Sequence, residues 1–235
     1  MEQKKVTLYM TGNSHIDPVW FWDWEEGMQE VKATFGSALD RMDEDPEMTF
    51  TATSSAFFEW LERTSPELFS RIRRRVEEGR FRLAGGWFIE PDCILPCGEA
   101  FVRQGLYGQR YFLKTFGRLC RTGSNVDSFG HAVSLPQILK KSGMDEYVFM
   151  RPRLDTPAFL WEGPDGSRVT AVSLPSEYTT WFYESTREAV ELASAAAERA
   201  GLHAMICCFG VGNHGGGPTK KNLESVRRLR GELPE

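Results

Sequence analysis

The sequence predicts an α/β protein built on a mostly parallel sheet of seven strands. Three observations carry that expectation. Short apolar runs of strand character alternate with longer helical patterns along the whole chain. The polar and aromatic residues with chemical capability collect just after those runs, where parallel α/β sheets place their sites. The length of 235 residues suits one such domain, expected to span 1–235.

The elements follow in order. A strand over 6–11 leads into a helix over 26–42. A second strand covers 48–53, followed by one helix over 56–78. The third strand, 81–84, stops at Gly85-Gly86, and a helix covers 99–116. The fourth strand is expected at 119–126, with a helix over 135–142 that Gly143 caps. Strands at 146–150 and 168–174 come next, the second entered through the turn Gly163-Pro164-Asp165-Gly166. A helix over 187–200, a seventh strand over 203–209 and a helix over 220–230 complete the chain. Such alternation implies a parallel sheet, open or closed into a barrel.

Composition excludes several classes. Hydrophobic residues at 41% and charged residues at 26% describe a folded globular chain, not a disordered one. A net charge of −5 argues against a nucleic-acid partner, which a basic field would recognise. No apolar run is long enough for a membrane-spanning helix. The polar start, residues 1–5, is unlike a signal peptide. Five cysteines with no regular framework suggest free thiols and a cytoplasmic protein. Cys93 and Cys97 have no second Cys/His pair near them, so packing is the expected role for both.

Three segments carry chemistry. In Gly12-Asn13-Ser14-His15-Ile16-Asp17-Pro18-Val19-Trp20, an extended backbone points residues 15 and 17 to the same side. His15 and Asp17 can then offer a nitrogen and an oxygen to one zinc ion. A hydrogen bond between them at a strand end explains the pair equally well. In Asn125-Val126-Asp127-Ser128-Phe129-Gly130-His131, Asp127 follows the fourth strand. A carboxylate there can act as a nucleophile at a glycosidic centre, or simply cap a helix. The Gly-rich stretch 210–219, with Asn213 and His214 inside it, lets backbone approach a ligand closely, but its spacing is not that of a phosphate loop. Ser54 and Ser55, then Trp87, Glu90 and Asp92, then Arg151, follow other strands. His131 reads as a hydrogen-bonding support, and His203 as a structural residue within a strand. Trp22, Trp24 and Phe21 suit either sugar stacking or loop packing.

These segments, in this order, resemble the α-mannosidases of glycoside hydrolase family 38, bacterial type. The resemblance rests on His-Ile-Asp-Pro-Val-Trp (15–20), Gly-Gly-Trp (85–87) with Glu-Pro-Asp (90–92), Asn-Val-Asp-Ser-Phe-Gly-His (125–131) with Leu-Pro-Gln-Ile-Leu (135–139), and Gly-Asn-His-Gly-Gly-Gly-Pro-Thr (212–219). It implies a seven-stranded barrel-like fold of glycoside hydrolase/deacetylase type. It implies one zinc ion on His15, Asp17 and Asp127, with Asp127 also the nucleophile. Trp20 would lie under the mannose ring and Phe129 beside it. Arg151 would sit near the nucleophile, and Asp92 and His214 would contact substrate. The implied substrate is a mannosyl oligosaccharide, cleaved with retention.

Two departures shape the expectation. Family members carry an aspartate as acid/base at the position of Asn213 or His214, where this chain has no carboxylate. The role is open among His214, Glu90 and Asp92. The family's fourth zinc ligand is a histidine from a later segment, so an N-terminal piece of a longer enzyme is expected, weak in zinc binding and inactive alone. A homo-oligomer is also expected. Two other readings stay open: a metal-dependent deacetylase, for which His131, His203 and His214 lack the one-turn spacing, and a sugar-binding piece without turnover.

Overall fold

The structure is a computed structural model that describes residues 5–212 and 214–232. In chain order the elements are β1 (Thr7–Asn13), α1 (Trp24–Glu44), β2 (Phe50–Ala52), α2 (Ser55–Thr64), α3 (Pro66–Glu77), β3 (Phe81–Leu83), α4 (Gly98–Phe116), β4 (Thr122–Asn125), α5 (Leu135–Lys141), β5 (Glu146–Phe149), β6 (Ala158–Glu162), β7 (Arg168–Ser173), α6 (Tyr183–Arg199), β8 (Ala204–Phe209) and α7 (Lys220–Glu232). The α/β alternation and the mostly parallel pairing agree with the sequence reading.

The single seven-stranded sheet does not. The described strands form two four-stranded sheets, β3-β2-β1-β8 and β4-β5-β7-β6. The extra strand is β6, to which the sequence reading assigned no element. It pairs antiparallel with β7 through a hairpin at Gly163–Gly166, so its partner is local and it forms an edge. A second correction concerns the helix over 56–78. It is two helices, because Pro66 supplies no N–H and Ser65 leaves helical geometry at φ −146°. A third concerns His203, which lies just before β8 and is exposed.

The chain divides into two compact units, Met1–Thr51 with Leu174–Glu235, and Ala52–Ser173. In the first, β1 pairs parallel with β8 over Thr7↔Ala204 to Gly12↔Phe209, and with β2 at Gly12↔Phe50. Both β1 and β8 therefore end at the same edge. α1 is started by Asp23, whose carboxylate accepts the Glu26 N–H at 3.0 Å. Its buried face includes Val31, Phe35, Leu39 and Met42. In the second, β4, β5 and β7 run parallel, so β4 and β5 also share an end. Trp87, Leu135, Leu139, Met144 and Tyr147 fill the core there without exposure. Among the described residues, no helix is long and apolar enough to cross a membrane.

Candidate active site

The sequence-predicted residues fall into two groups, one in each unit, and each has its own geometry. In the first unit, His15 and Asp17 follow β1, and the 210–219 loop follows β8. His15 Nε2 lies 3.2 Å from Asp17 Oδ1. His214 Nδ1 lies 3.0 Å from the other oxygen, Oδ2. The backbone repeats this link, since the Asp17 N–H donates to the His214 carbonyl at 2.9 Å. Burial pushes the Asp17 carboxyl up, but the hydrogen bonds and charge of His15 and His214 outweigh it and hold it below the ordinary carboxylate value.

The loop that delivers His214 is tightly tied. Gly212 and Gly216 exchange backbone hydrogen bonds across a narrow turn. The Ser14 and Thr34 hydroxyls both donate to the Gly215 carbonyl, at 2.8 and 2.5 Å. His214 itself sits at φ +63°, a conformation that non-glycine residues seldom adopt without a local reason. Asn213 lies outside the described residues. Trp20 stacks on His214 with ring centroids 3.4 Å apart, and Trp22 meets the same ring edge-on at 6.0 Å. The Trp22 indole N–H also donates to the Asp17 carbonyl at 3.0 Å. The aromatic cluster thus packs this loop, with Phe21 4.0 Å and Trp22 5.5 Å from the Trp20 ring, and Trp20 stays 47% exposed.

The donor set suits a metal. Two ligands on a tetrahedral zinc, each at about 2.0–2.1 Å, stand about 3.3 Å apart. The 3.2 Å between His15 Nε2 and Asp17 Oδ1 is close to that spacing and is equally a hydrogen-bond distance. Among the described residues, no three His, Cys, Asp or Glu side chains form a metal-holding group of their own. His214 does not complete one, because it takes the opposite oxygen of Asp17.

In the second unit, Asp127 follows β4 and Arg151 follows β5. The Arg151 guanidinium lies 3.1 Å from Asp127 Oδ1 and 4.6 Å above the Phe129 ring. The guanidinium thus sets a positive charge directly beside the carboxylate. Asp127 starts no helix, because α5 begins later, after Ser134. Glu90 Oε1 lies 3.5 Å from the Asp127 N–H. Asp92 does something sequence reasoning missed: its Oδ1 accepts the N–H groups of Ile94 and Leu95, both at 2.8 Å, and shapes the 91–95 turn.

The surroundings of Asp127 tie Trp87 and Asn125 together and add Tyr147, which sequence reading had not singled out. Trp87 donates its indole N–H to Asn125 Oδ1 at 2.9 Å, and Asn125 donates to the Pro91 carbonyl at 3.0 Å. Tyr147, fully buried in β5, faces His131 Nδ1 at 3.0 Å. The available signal was a tyrosine amid apolar strand residues, whose hydroxyl must find a partner.

Comparison with known proteins decides the family. The profile of the glycosyl hydrolases family 38 N-terminal domain matches residues 5–233. The chain belongs to that family. Within family 38, human alpha-mannosidase 2C1 is 33% identical over 97% of this chain. The alpha-mannosidase of Saccharomyces cerevisiae is 32% identical over 97% of it. The chain spans 22% of the length of each of these relatives. An α-mannosidase structure from Enterococcus faecalis covers 98% of the chain with a TM-score of 0.79 and 27% of its own length, at 21% identity, which speaks for the family 38 fold alone.

Proposed function

We propose that this protein is a zinc-dependent retaining α-mannosidase acting on mannosyl oligosaccharides, and that its compartment is the cytoplasm. Family membership supports the hydrolase class, and relatives named α-mannosidases support the sugar. The observation that carries the catalytic reading is the Asp127 carboxylate held by Arg151 beside an exposed aromatic ring.

In this reading, Asp127 attacks the anomeric carbon. The carboxylate–C1 bond forms as the C1–oxygen bond to the leaving sugar breaks, and the leaving oxygen takes its proton from the general acid. That role is open among Glu90, Asp92 and His214, and the same group takes a proton back from the water of the second step. Water then cleaves the glycosyl-aspartate and releases mannose with retained configuration. Arg151 keeps Asp127 charged before attack and balances its charge when it is freed again. Trp20 and Phe129 offer flat apolar faces to the pyranose, while Asp92 and His214 offer polar contacts. His15 and Asp17 are the groups of the first unit that would hold the zinc. When bound, the ion supplies Lewis acidity and orientation at the mannose O2 and O3 hydroxyls.

The test uses the full-length protein. Zinc content and p-nitrophenyl α-mannoside hydrolysis are measured for the wild type, Asp17→Asn and Asp127→Asn. Expected are near-stoichiometric zinc in the wild type, loss of zinc in Asp17→Asn, and loss of at least about a thousandfold in turnover in Asp127→Asn. Full turnover by Asp127→Asn, or by chelated protein, sinks the reading.

A further inference from the structure

We propose that His131 is a positioning residue: its neutral imidazole, locked by Tyr147, pins the main chain of Arg151 so that the guanidinium meets Asp127. The inference rests on Asp127 as nucleophile and adds the device that aligns its partner. All the groups involved lie within the second unit.

The hydrogen-bond chemistry fixes the tautomer. His131 Nε2 lies 2.6 Å from the Arg151 carbonyl. A carbonyl only accepts, so Nε2 carries the hydrogen. In the neutral ring Nδ1 is then an acceptor, and the Tyr147 hydroxyl at 3.0 Å donates to it. Burial lowers the His131 pKa and so favours this neutral form. The ring cannot swing away, because Tyr147, Phe149 and Trp161 meet it edge-on at 5.5, 4.9 and 6.2 Å.

The same chain of contacts returns to the nucleophile segment. The Tyr147 hydroxyl oxygen lies 3.7 Å from Cys93 Sγ, and the Ser128 hydroxyl donates to that sulfur at 3.3 Å. Ser128 directly follows Asp127. Asn125, two residues before Asp127, is anchored by Trp87 and Pro91. Residues 125, 128 and 131 of one loop are therefore each tied to buried partners, and Asp127 projects from between them. Arg151 follows β5, a different element; its guanidinium reaches Asp127 and Phe129 of this loop, and its carbonyl is held there by His131. Misalignment of reacting groups by about 1 Å can cost about a hundredfold in rate, so holding that backbone matters to turnover.

The test is a double-mutant cycle on kcat and KM in the full-length protein, with thermal melts on every variant. His131→Phe should lower kcat about tenfold and leave KM within about twofold. His131→Gln, whose amide nitrogen reaches the place of Nε2, should recover most of that loss. In an Arg151→Ala background, His131→Phe should cost less than about twofold further, since the positioned group is gone. If His131→Phe does not fold, Tyr147→Phe takes its place in the cycle. It keeps the ring and removes only the hydroxyl, and it should also broaden the Arg151 side-chain N–H resonance. A large Arg151→Ala loss with a fully multiplicative second loss overturns the positioning role alone. Wild-type kcat in Arg151→Ala also overturns the positioning role, whereas wild-type kcat in Asp127→Asn overturns the nucleophile reading on which it rests.

Discussion

Gly108→Ala gives the sharpest test of the packing behind the site. Helix propensity by itself predicts a gain, because alanine replaces glycine inside α4 for about 1 kcal/mol. The structure reverses the sign. A Cβ on Gly108 would stand 2.4 Å from the Gly86 carbonyl oxygen and 2.4 Å from the Trp87 carbonyl carbon. Ordinary contact needs at least 3.4 Å, so α4 and the Gly86–Trp87 turn must part by about 1 Å. The obstacles are backbone atoms, which cannot rotate aside, and Trp87 is fully buried. Overpacking of this kind costs about 1–3 kcal/mol, and this site belongs at the upper end. Subtracting the propensity gain leaves about 2 kcal/mol of destabilisation, or a Tm lower by about 4–8 °C for a chain of this size. Two controls grade the effect. Gly105→Ala meets the Ser142 hydroxyl, which can turn away, and should cost less. Gly98→Ala meets nothing and should stay within about 0.5 kcal/mol. Differential scanning calorimetry of the three variants is the assay. A Tm for Gly108→Ala equal to or above wild type refutes the reasoning. Because Trp87 holds Asn125, turnover should also fall in Gly108→Ala.

Three further outcomes follow from the same geometry. Burial holds the folded His131 pKa below its ordinary 6.5, so the unfolded chain binds more protons near pH 6 and stability falls as pH drops through 6.5 and below. Urea midpoints at pH 5 and 7 should differ less in His131→Gln; an unchanged difference refutes the assignment. Asp92→Asn keeps the acceptor for the Ile94 and Leu95 N–H groups and should melt like the wild type, whereas Asp92→Ala should lose about 1–2 kcal/mol; equal melting of both excludes the turn role. Burial pushes the Cys93 thiol up to about 11 and those of Cys120, Cys207 and Cys208 up to about 12, while Cys97 is exposed. A thiol reagent should label Cys97 first in native protein and the others only on unfolding; rapid native labelling of Cys207 contradicts that.

The α/β class, the parallel pairing and the family were legible in the sequence, because strand and helix periodicity and short motifs are local properties of the chain. The placement of His15 and Asp17 on one side after β1 was legible for the same reason: alternation in extended backbone fixes it without help from elsewhere. What lay beyond the sequence was pairing at a distance. The edge strand β6 exists only because β7 pairs with it. That Asp92 Oδ1 accepts two backbone N–H groups and shapes the 91–95 turn also lay beyond the sequence. The chain from Tyr147 through His131 to Arg151 joins three residues that no local pattern connects. A buried hydroxyl must find a partner, but which one it finds is decided by how β4, β5 and their loops pack.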